Sequence, residues 1–226
     1  MEQIESKIGV TFKDKALLKQ AFTHRSYLNE NRNLGLEHNE RLEFLGDAVL
    51  ELVVTDFLYK KYPKKPEGEL TALRSALVNS TILAEISSAL GYNDFLLLSR
   101  GESKDLGRAR QYILANTFES VVGAIYLDQG YGACDEFINR VLTPKVKEIE
   151  EKRLWIDAKS FFQECAQEKM GITPSYKTVK EQGPDHDKEF IVGVFIGESK
   201  IAEGKGKSKQ DAEQDAARKG LEKKGW

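Results

Sequence analysis

The 226-residue chain predicts an all-helical domain followed by a small α+β module of α-β-β-β-α order. Two observations lead there. Up to about residue 150, apolar residues recur at intervals of three and four, the period of a helix with one buried face. Past the charged stretch Lys145–Lys159, the pattern becomes a helix, three strand-like runs and a closing helix within about 70 residues, a two-layer arrangement. The predicted boundaries are 1–150 for the helical domain, 151–157 for a linker and 158–226 for the second module.

The helical pattern is clearest in three segments. The first holds Leu42, Leu45, Val49, Leu52 and Val53; the second Leu73, Leu77, Leu83, Ile86 and Leu90; the third Ile113, Phe118, Val121, Val122 and Ile125. Asn39 stands where an N-cap is expected. Gly91 and Gly130 stand at expected helix stops. The last helix of this domain is expected from about Ala133 to Arg153, with Pro144 as a kink or break inside it. In the second module Ser160–Lys169 reads as a helix ending at Gly171. Strands are expected at Ser175–Lys180, Glu189–Ile196 and Lys200–Glu203. In the middle run Phe190, Val192, Val194 and Ile196 alternate with Ile191, Gly193 and Phe195, so it is apolar on both faces or bulges at Gly193. Gly197–Glu198 reads as a two-residue hairpin turn. The closing helix, about Ser208 to Lys224, carries Ala212, Ala216, Ala217 and Leu221 on one side.

With 40% apolar and 31% charged residues the chain is expected to be globular. Its formal net charge of -2 does not announce a polyanionic partner, so any nucleic-acid surface must be local. Met1–Leu18 lacks the basic head and apolar run of a signal peptide. No stretch reaches the roughly 18 apolar residues that span a bilayer, so no membrane association is expected. Cys134 and Cys165 are far apart and lack metal-ligand spacing, as expected of two thiols in a reducing cytoplasm.

The most informative segment is Glu40-Arg41-Leu42-Glu43-Phe44-Leu45-Gly46-Asp47-Ala48-Val49. Glu40, Glu43 and Asp47 share one helix face. At ~5 Å and an effective dielectric of about 20, each carboxylate pair repels by about 3 kcal/mol. A bound divalent cation removes that conflict. Asn116 and Glu119 repeat the pattern on a second apolar helix, and Gly46 and Gly123 interrupt the two helices where glycine costs roughly 1 kcal/mol against alanine. Close approach of the two backbones explains both glycines. The two helices are expected to cross there and turn their polar groups into one pocket. Its donors are all oxygens, which selects magnesium or manganese over zinc or copper. Each acidic residue alone is more often a solvated helix face, and Glu51, one turn further on, is read that way.

The stretch from Glu40 to Leu50 resembles the signature of the ribonuclease III family. Phe22-Thr23-His24-Arg25-Ser26-Tyr27, Glu67-Gly68-Glu69-Leu70 with Arg74, and Phe118-Glu119 match in order, and the C-terminal module resembles the family's double-stranded-RNA-binding domain. The resemblance implies an all-α endonuclease domain and hydrolysis of duplex RNA to 5′-phosphate and 3′-hydroxyl ends, including precursors of ribosomal RNA. Glu43, Asp47 and Glu119 are then metal ligands, with Asn116 in the ligand set and Asp47 and Glu119 the catalytic pair. Mg2+ is the implied cofactor, and Mn2+ can substitute. Glu40 and Glu67 match supporting acidic positions, and Phe44 matches the aromatic residue that enters the partner of a homodimer. An ordinary core role for Phe44 stays open. His24, Arg25 and His38 are read as structural, because metal-assisted hydrolysis needs no histidine base.

Lys200, Lys205, Lys207 and Lys209 concentrate around the start of the last helix, with Ser208 as its expected N-cap. Free N–H groups and the helix dipole favour phosphate there. By resemblance, duplex RNA is touched by Gln163, Glu164 and Gln167, by the loop Gly183-Pro184-Asp185-His186, and by Lys207, Ser208 and Lys209. Gln210 stands where a second basic residue is usual. Asn116 stands where the family has an aspartate and brings no charge. Three functions stay open: an active endoribonuclease, a duplex-RNA-binding factor weakened in catalysis by Asn116, and an unrelated helical metalloenzyme.

Overall fold

The computed structural model describes residues 2–105, 107–151, 155, 157–184 and 188–226. The chain divides into two units, Met1–Trp155 and Ile156–Trp226, each built around its own hydrophobic core.

The first unit is helical: α1 (Glu2–Ile8), α2 (Lys15–Ala21), α3 (Arg25–Glu30), α4 (Glu40–Lys61), α5 (Glu67–Leu77), α6 (Ser80–Ala89), α7 (Arg108–Gln129), α8 (Tyr131–Leu142) and α9 (Pro144–Glu151). Its axis is α7, which buries Leu114, Phe118, Val121, Val122 and Ile125 on several faces. A helix apolar nearly all round must be enclosed by others. Its most extensive partner in this unit is α4, which buries Leu42, Val49, Leu50 and Val53. Glycine makes the crossing possible. A Cβ on Gly46 would lie 1.7 Å from the Glu119 carbonyl oxygen, and one on Gly123 would lie 2.2 Å from the Leu42 carbonyl oxygen. The crossing expected from the two glycines is therefore present.

Asn39 occupies the N-cap position of α4 but does not cap with its side chain. Its Nδ2 donates to the Ala21 carbonyl at 3.2 Å, tying α4 to α2. Gly91 and Gly130 end their helices with φ of 74° and 83°, as expected. The single helix expected from Ala133 is two: α8 ends at Leu142 and α9 begins at Pro144. Proline lacks the N–H that would continue α8, and it suits a helix's first position. Val146 and Ile149 of α9 return to the first unit's core. The expected terminus at Arg153 lies outside the described residues.

The second unit is α10 (Ala158–Met170), β1 (Ser175–Gln182), β2 (Glu189–Ile196), β3 (Ser199–Gly206) and α11 (Lys209–Lys224). The antiparallel sheet has the order β1-β2-β3, so the predicted fold class and element order are those observed. Asp157 caps α10, accepting from the Lys159 and Ser160 amides, and Gly171 closes it at φ 67°. The hairpin turn lies at Gly197, with Ile196 paired to Ser199. The Gly193 alternative is corrected: Gly193 pairs regularly with Lys177 and Glu203. The register shifts fall instead between Thr178 and Lys180 and between Val194 and Phe195. Val192, Val194 and Ile196 are buried, while the Phe195 ring covers Gly193, coming within 2.9 Å of where a Cβ would stand. Thus Gly193 makes room for a ring. Gly204 and Gly206 let β3 lie directly on α11; a Cβ on Gly204 would be 2.1 Å from the Ala216 nitrogen.

Among the described residues, no helix is long and apolar enough to cross a membrane.

Candidate functional site

Because Gly46 and Gly123 let α4 and α7 nearly touch, the residues flanking them are brought together. Glu43 and Asp47 come from α4, Asn116 and Glu119 from α7. Three carboxyl groups consequently share a partly desolvated cleft. Burial, then Asp47, then Glu43 push the Glu119 carboxyl up to about 8. Burial and Glu40 raise Glu43, while a hydrogen bond with the Asn116 side chain opposes the rise. Burial and Glu51 raise Asp47, which stands at the exposed rim. None of the three is paired with a lysine or arginine among the described residues.

Glu40 is at the edge of this group and has basic partners of its own, although its charge still raises Glu43. Arg25 donates to its carboxylate at 2.7 Å, and His38 Nδ1 lies 3.8 Å from the same oxygen. His24 caps α3, and its Nδ1 is 2.8 Å from Ser26 Oγ. Arg25, His24 and His38 thus organise the border of the cleft, in keeping with a structural role.

The donor set fits a hard divalent cation: carboxylate oxygens, an amide, and negative charge that no lysine or arginine among the described residues pairs with. Among the described residues, no three carboxylate, imidazole or thiol groups have converged on one point as ligands of a formed site.

Glu67 does not join this group. It opens α5 and accepts a hydrogen bond from Thr71 Oγ1 at 3.0 Å. It lines a separate cleft with Thr55, Tyr59 and Arg74. Thr55 lies two helical turns beyond Asp47, roughly 12 Å along α4. Phe44 projects outward with 83% of its surface exposed, so the core alternative is wrong for the single chain. It borders a cavity of about 590 Å³, lined also by Gln20, His38, Arg41, Leu45 and Leu127.

In the second unit, Gln163, Glu164 and Gln167 are exposed on α10, and Gln167 Nε2 donates to Thr173 Oγ1 at 3.1 Å. Ser208 caps α11, its Oγ accepting from the Asp211 amide at 3.1 Å. Lys207 and Lys209 flank it and are exposed. Gly183 and Pro184 border the loop, while Asp185 and His186 lie outside the described residues.

Sequence reasoning missed two polar neighbours. Glu181 pairs with Lys209 at 3.0 Å, and the Lys209 ammonium stands 5.6 Å from the centre of the Phe190 ring. The bulge after Thr178 shifts strand facing, so simple alternation could not place Glu181. Ser120 is buried on α7 and its Oγ donates to the Asn39 and Asn116 carbonyls at 3.3 and 2.8 Å. A serine inside an otherwise apolar helix segment was the available signal.

Comparison with known proteins agrees with this division. Residues 14–146 match the family model described as Ribonuclease-III-like, and residues 158–224 match the double-stranded RNA binding motif. The chain is 44% identical over 229 residues to Ribonuclease 3 of Streptococcus thermophilus, covering 100% of both chains. It is 44% identical over 219 residues to Ribonuclease 3 of Enterococcus faecalis, covering 97% of this chain and 95% of that one. The nuclease domain of ribonuclease III from Campylobacter jejuni superposes with a TM-score of 0.58 at 40% identity, covering 63% of this chain and 96% of that one. The match of both modules and the full-length identity have one meaning: the chain belongs to the ribonuclease III family.

Proposed function

We propose that the chain is an endoribonuclease that hydrolyses double-stranded RNA with a divalent cation, Mg2+ in the cell and Mn2+ as a substitute, held by Glu43, Asp47, Asn116 and Glu119. The observation that carries this is a set of carboxylates facing one another across two glycine-notched helices with no basic partner among the described residues. Membership in the family and the duplex-binding module supply the substrate class.

When bound, such a cation supplies a lowered water pKa and charge stabilisation at phosphate. The protein's own part is placement. The α4–α7 crossing supports the proposed site by carrying its carboxylates on two helices, and rigid helices hold a site more accurately than loops. Asn116 favours the charged form of Glu43, and Arg25 anchors Glu40, whose charge still adds to the repulsion on Glu43. Overall, water adds to phosphorus, the bond to the 3′ oxygen breaks and that oxygen takes a proton, leaving a 5′-phosphate and a 3′-hydroxyl.

Duplex RNA has no readable major groove, so recognition falls on shape, phosphates and 2′-hydroxyls. Lys207, Ser208 and Lys209 at the start of α11 suit phosphate, and Gln163, Glu164 and Gln167 of α10 suit the minor groove. His186 belongs to this proposal by resemblance alone. Each active site cuts one strand, so cutting both takes two chains. Phe44 is the proposed anchor of a homodimer: burying an exposed phenylalanine contributes about 1.5–3 kcal/mol per side. A region involved in dimer formation is reported for the Campylobacter nuclease domain. Glu67 stands apart from the carboxylates of its own chain, and its proposed role is support of the site and its RNA. The free, buried thiols of Cys134 and Cys165 suit a reducing cytoplasm.

The test is incubation of a defined RNA hairpin with the protein in magnesium or in EDTA, followed by analysis of the ends. Magnesium-dependent cuts with 5′-phosphate ends support the proposal. Binding without cutting in magnesium would leave a duplex-RNA-binding factor.

A further inference from the structure

Arg110 lies on the first turn of α7, is only 8% exposed, and takes no part in the carboxylate cleft. A guanidinium stays charged at any working pH. Its Nε donates to the Asp105 carbonyl at 3.2 Å, and its Nη2 donates to the Glu102 and Ser103 carbonyls at 3.0 and 3.1 Å. Those bonds fix the plane of the group and leave Nη1 over. Among the described residues Nη1 has no hydrogen-bond partner, and no carboxylate pairs with the guanidinium. A buried charge without a counter-charge is costly.

The Arg110 side chain lines a cavity of about 930 Å³ walled by residues of α6 and α7 and of the chain between them. Gly107 lines it too, and as the residue before α7 it puts no side chain over the first amides of that helix. Such amides have no intrahelical partner, and the helix dipole adds positive charge at that end. Among the described residues the one carboxylate of the lining is Glu85, and Lys145 holds it at 3.0 Å. Asp105 accepts from the Gly107 amide at 2.7 Å and stands outside the lining. Its charge opposes an anion there, so the guanidinium must carry the attraction. The remaining wall is mixed. Ala84, Leu96 and Leu114 offer apolar surface, while Ser88 and Asn93 offer hydrogen-bonding groups. A cavity of that size and lining suits a small organic ligand.

We infer that this cavity binds a small phosphate monoester with a body of nucleoside size, its phosphate on Arg110 Nη1 and the first amides of α7. Phosphate offers acceptor oxygens to a guanidinium and to helix amides at once. The apolar and polar walls then receive the sugar and base. The site is separate from the carboxylates proposed to hold metal: along α7, Arg110 precedes Asn116 by roughly 9 Å. It does not depend on the function proposed above.

The experiment is calorimetric titration of the full-length, RNA-free chain in EDTA, which keeps divalent ions out of the carboxylate cleft. The probes are adenosine 5′-monophosphate, adenosine, and an RNA tetranucleotide with a 5′-phosphate. The parent is expected to bind the monophosphate saturably, and adenosine about tenfold more weakly, the loss of one charged hydrogen bond. Arg110→Gln should weaken the monophosphate by about as much. Ser88→Trp, at an exposed position of α6, fills the cavity and leaves Arg110 in place. It should also weaken binding about tenfold, and it decides the matter if Arg110→Gln fails to fold. A tetranucleotide that binds as tightly as the monophosphate, and is weakened by the same substitutions, assigns the cavity to RNA ends. Binding of the mononucleotide without the tetranucleotide assigns it to free nucleotide. Equal affinity for adenosine and its monophosphate, or no saturable binding by the parent, would overturn the inference. So would binding undiminished in Ser88→Trp, which would place the phosphate elsewhere, as on the lysines of the second unit.

Discussion

A side chain on Gly46 would place its Cβ 1.7 Å from the carbonyl oxygen of Glu119, so the backbone of one helix fills the space beside the other. The neighbour is main chain and cannot step aside. Gly46→Ala should therefore destabilise the protein by about 3 kcal/mol, the upper end for overpacking, and separate the two sets of carboxylates. Gly68→Ala is the contrast, because nothing lies within 4 Å of that position. It should be neutral or stabilise by up to about 1 kcal/mol. Urea unfolding of both variants, with cleavage assayed in parallel, checks the pair.

The raised pKa of Glu119, about 8, makes a prediction about pH. Its folded value lies above its unfolded one, so the folded chain holds a proton that the unfolded chain has released. The associated stability is present below the unfolded pKa and is lost as pH rises through the folded pKa. Glu43 and Asp47 are shifted in the same direction. In EDTA, Tm should fall between about pH 5 and about pH 8.5. Glu119→Gln should flatten this fall, and magnesium should reduce it in the parent. A fall of equal depth in Glu119→Gln would remove Glu119 as its source.

Lys209 is held by Glu181 at 3.0 Å, on the surface proposed to bind phosphate. Phosphate must compete with that carboxylate. An exposed ion pair contributes at most about 1 kcal/mol, so Glu181→Gln should tighten duplex binding by up to about fivefold. Lys209→Ala should weaken binding and reduce the salt slope by about one. Titrations of a long duplex at several salt concentrations measure both effects.

Phe44 is 83% exposed in the single chain, so Phe44→Asp should leave the fold nearly intact. Sedimentation should show loss of the dimer, with Tm falling only by the dimer's contribution to the stability of the folded chain. A persisting dimer would assign that interface to other residues.

The sequence made the crossing legible because two glycines inside apolar helices need a physical reason, and close backbone approach supplies one. It made the order of the second unit legible through the change of period after residue 150. What it hid depends on tertiary partners. Asn39 has the right identity for a cap, yet its side chain serves Ala21. Glu67 resembles its neighbours chemically, but it faces Thr55 and Arg74. Spacing along one helix shows which residues share a face, not which element meets that face. The Asn116 side chain acts on Glu43 from a different helix, so no local pattern could show it.

Gly204 and Gly206 leave no side chain between β3 and α11, the helix capped by Ser208. Close-packed contacts yield little under load. If the lysines at that helix start hold a duplex, as proposed, a tug on them pulls the sheet along as well. Such a grip would be a stiff handle and not a spring, with release of RNA requiring the module to leave as one piece.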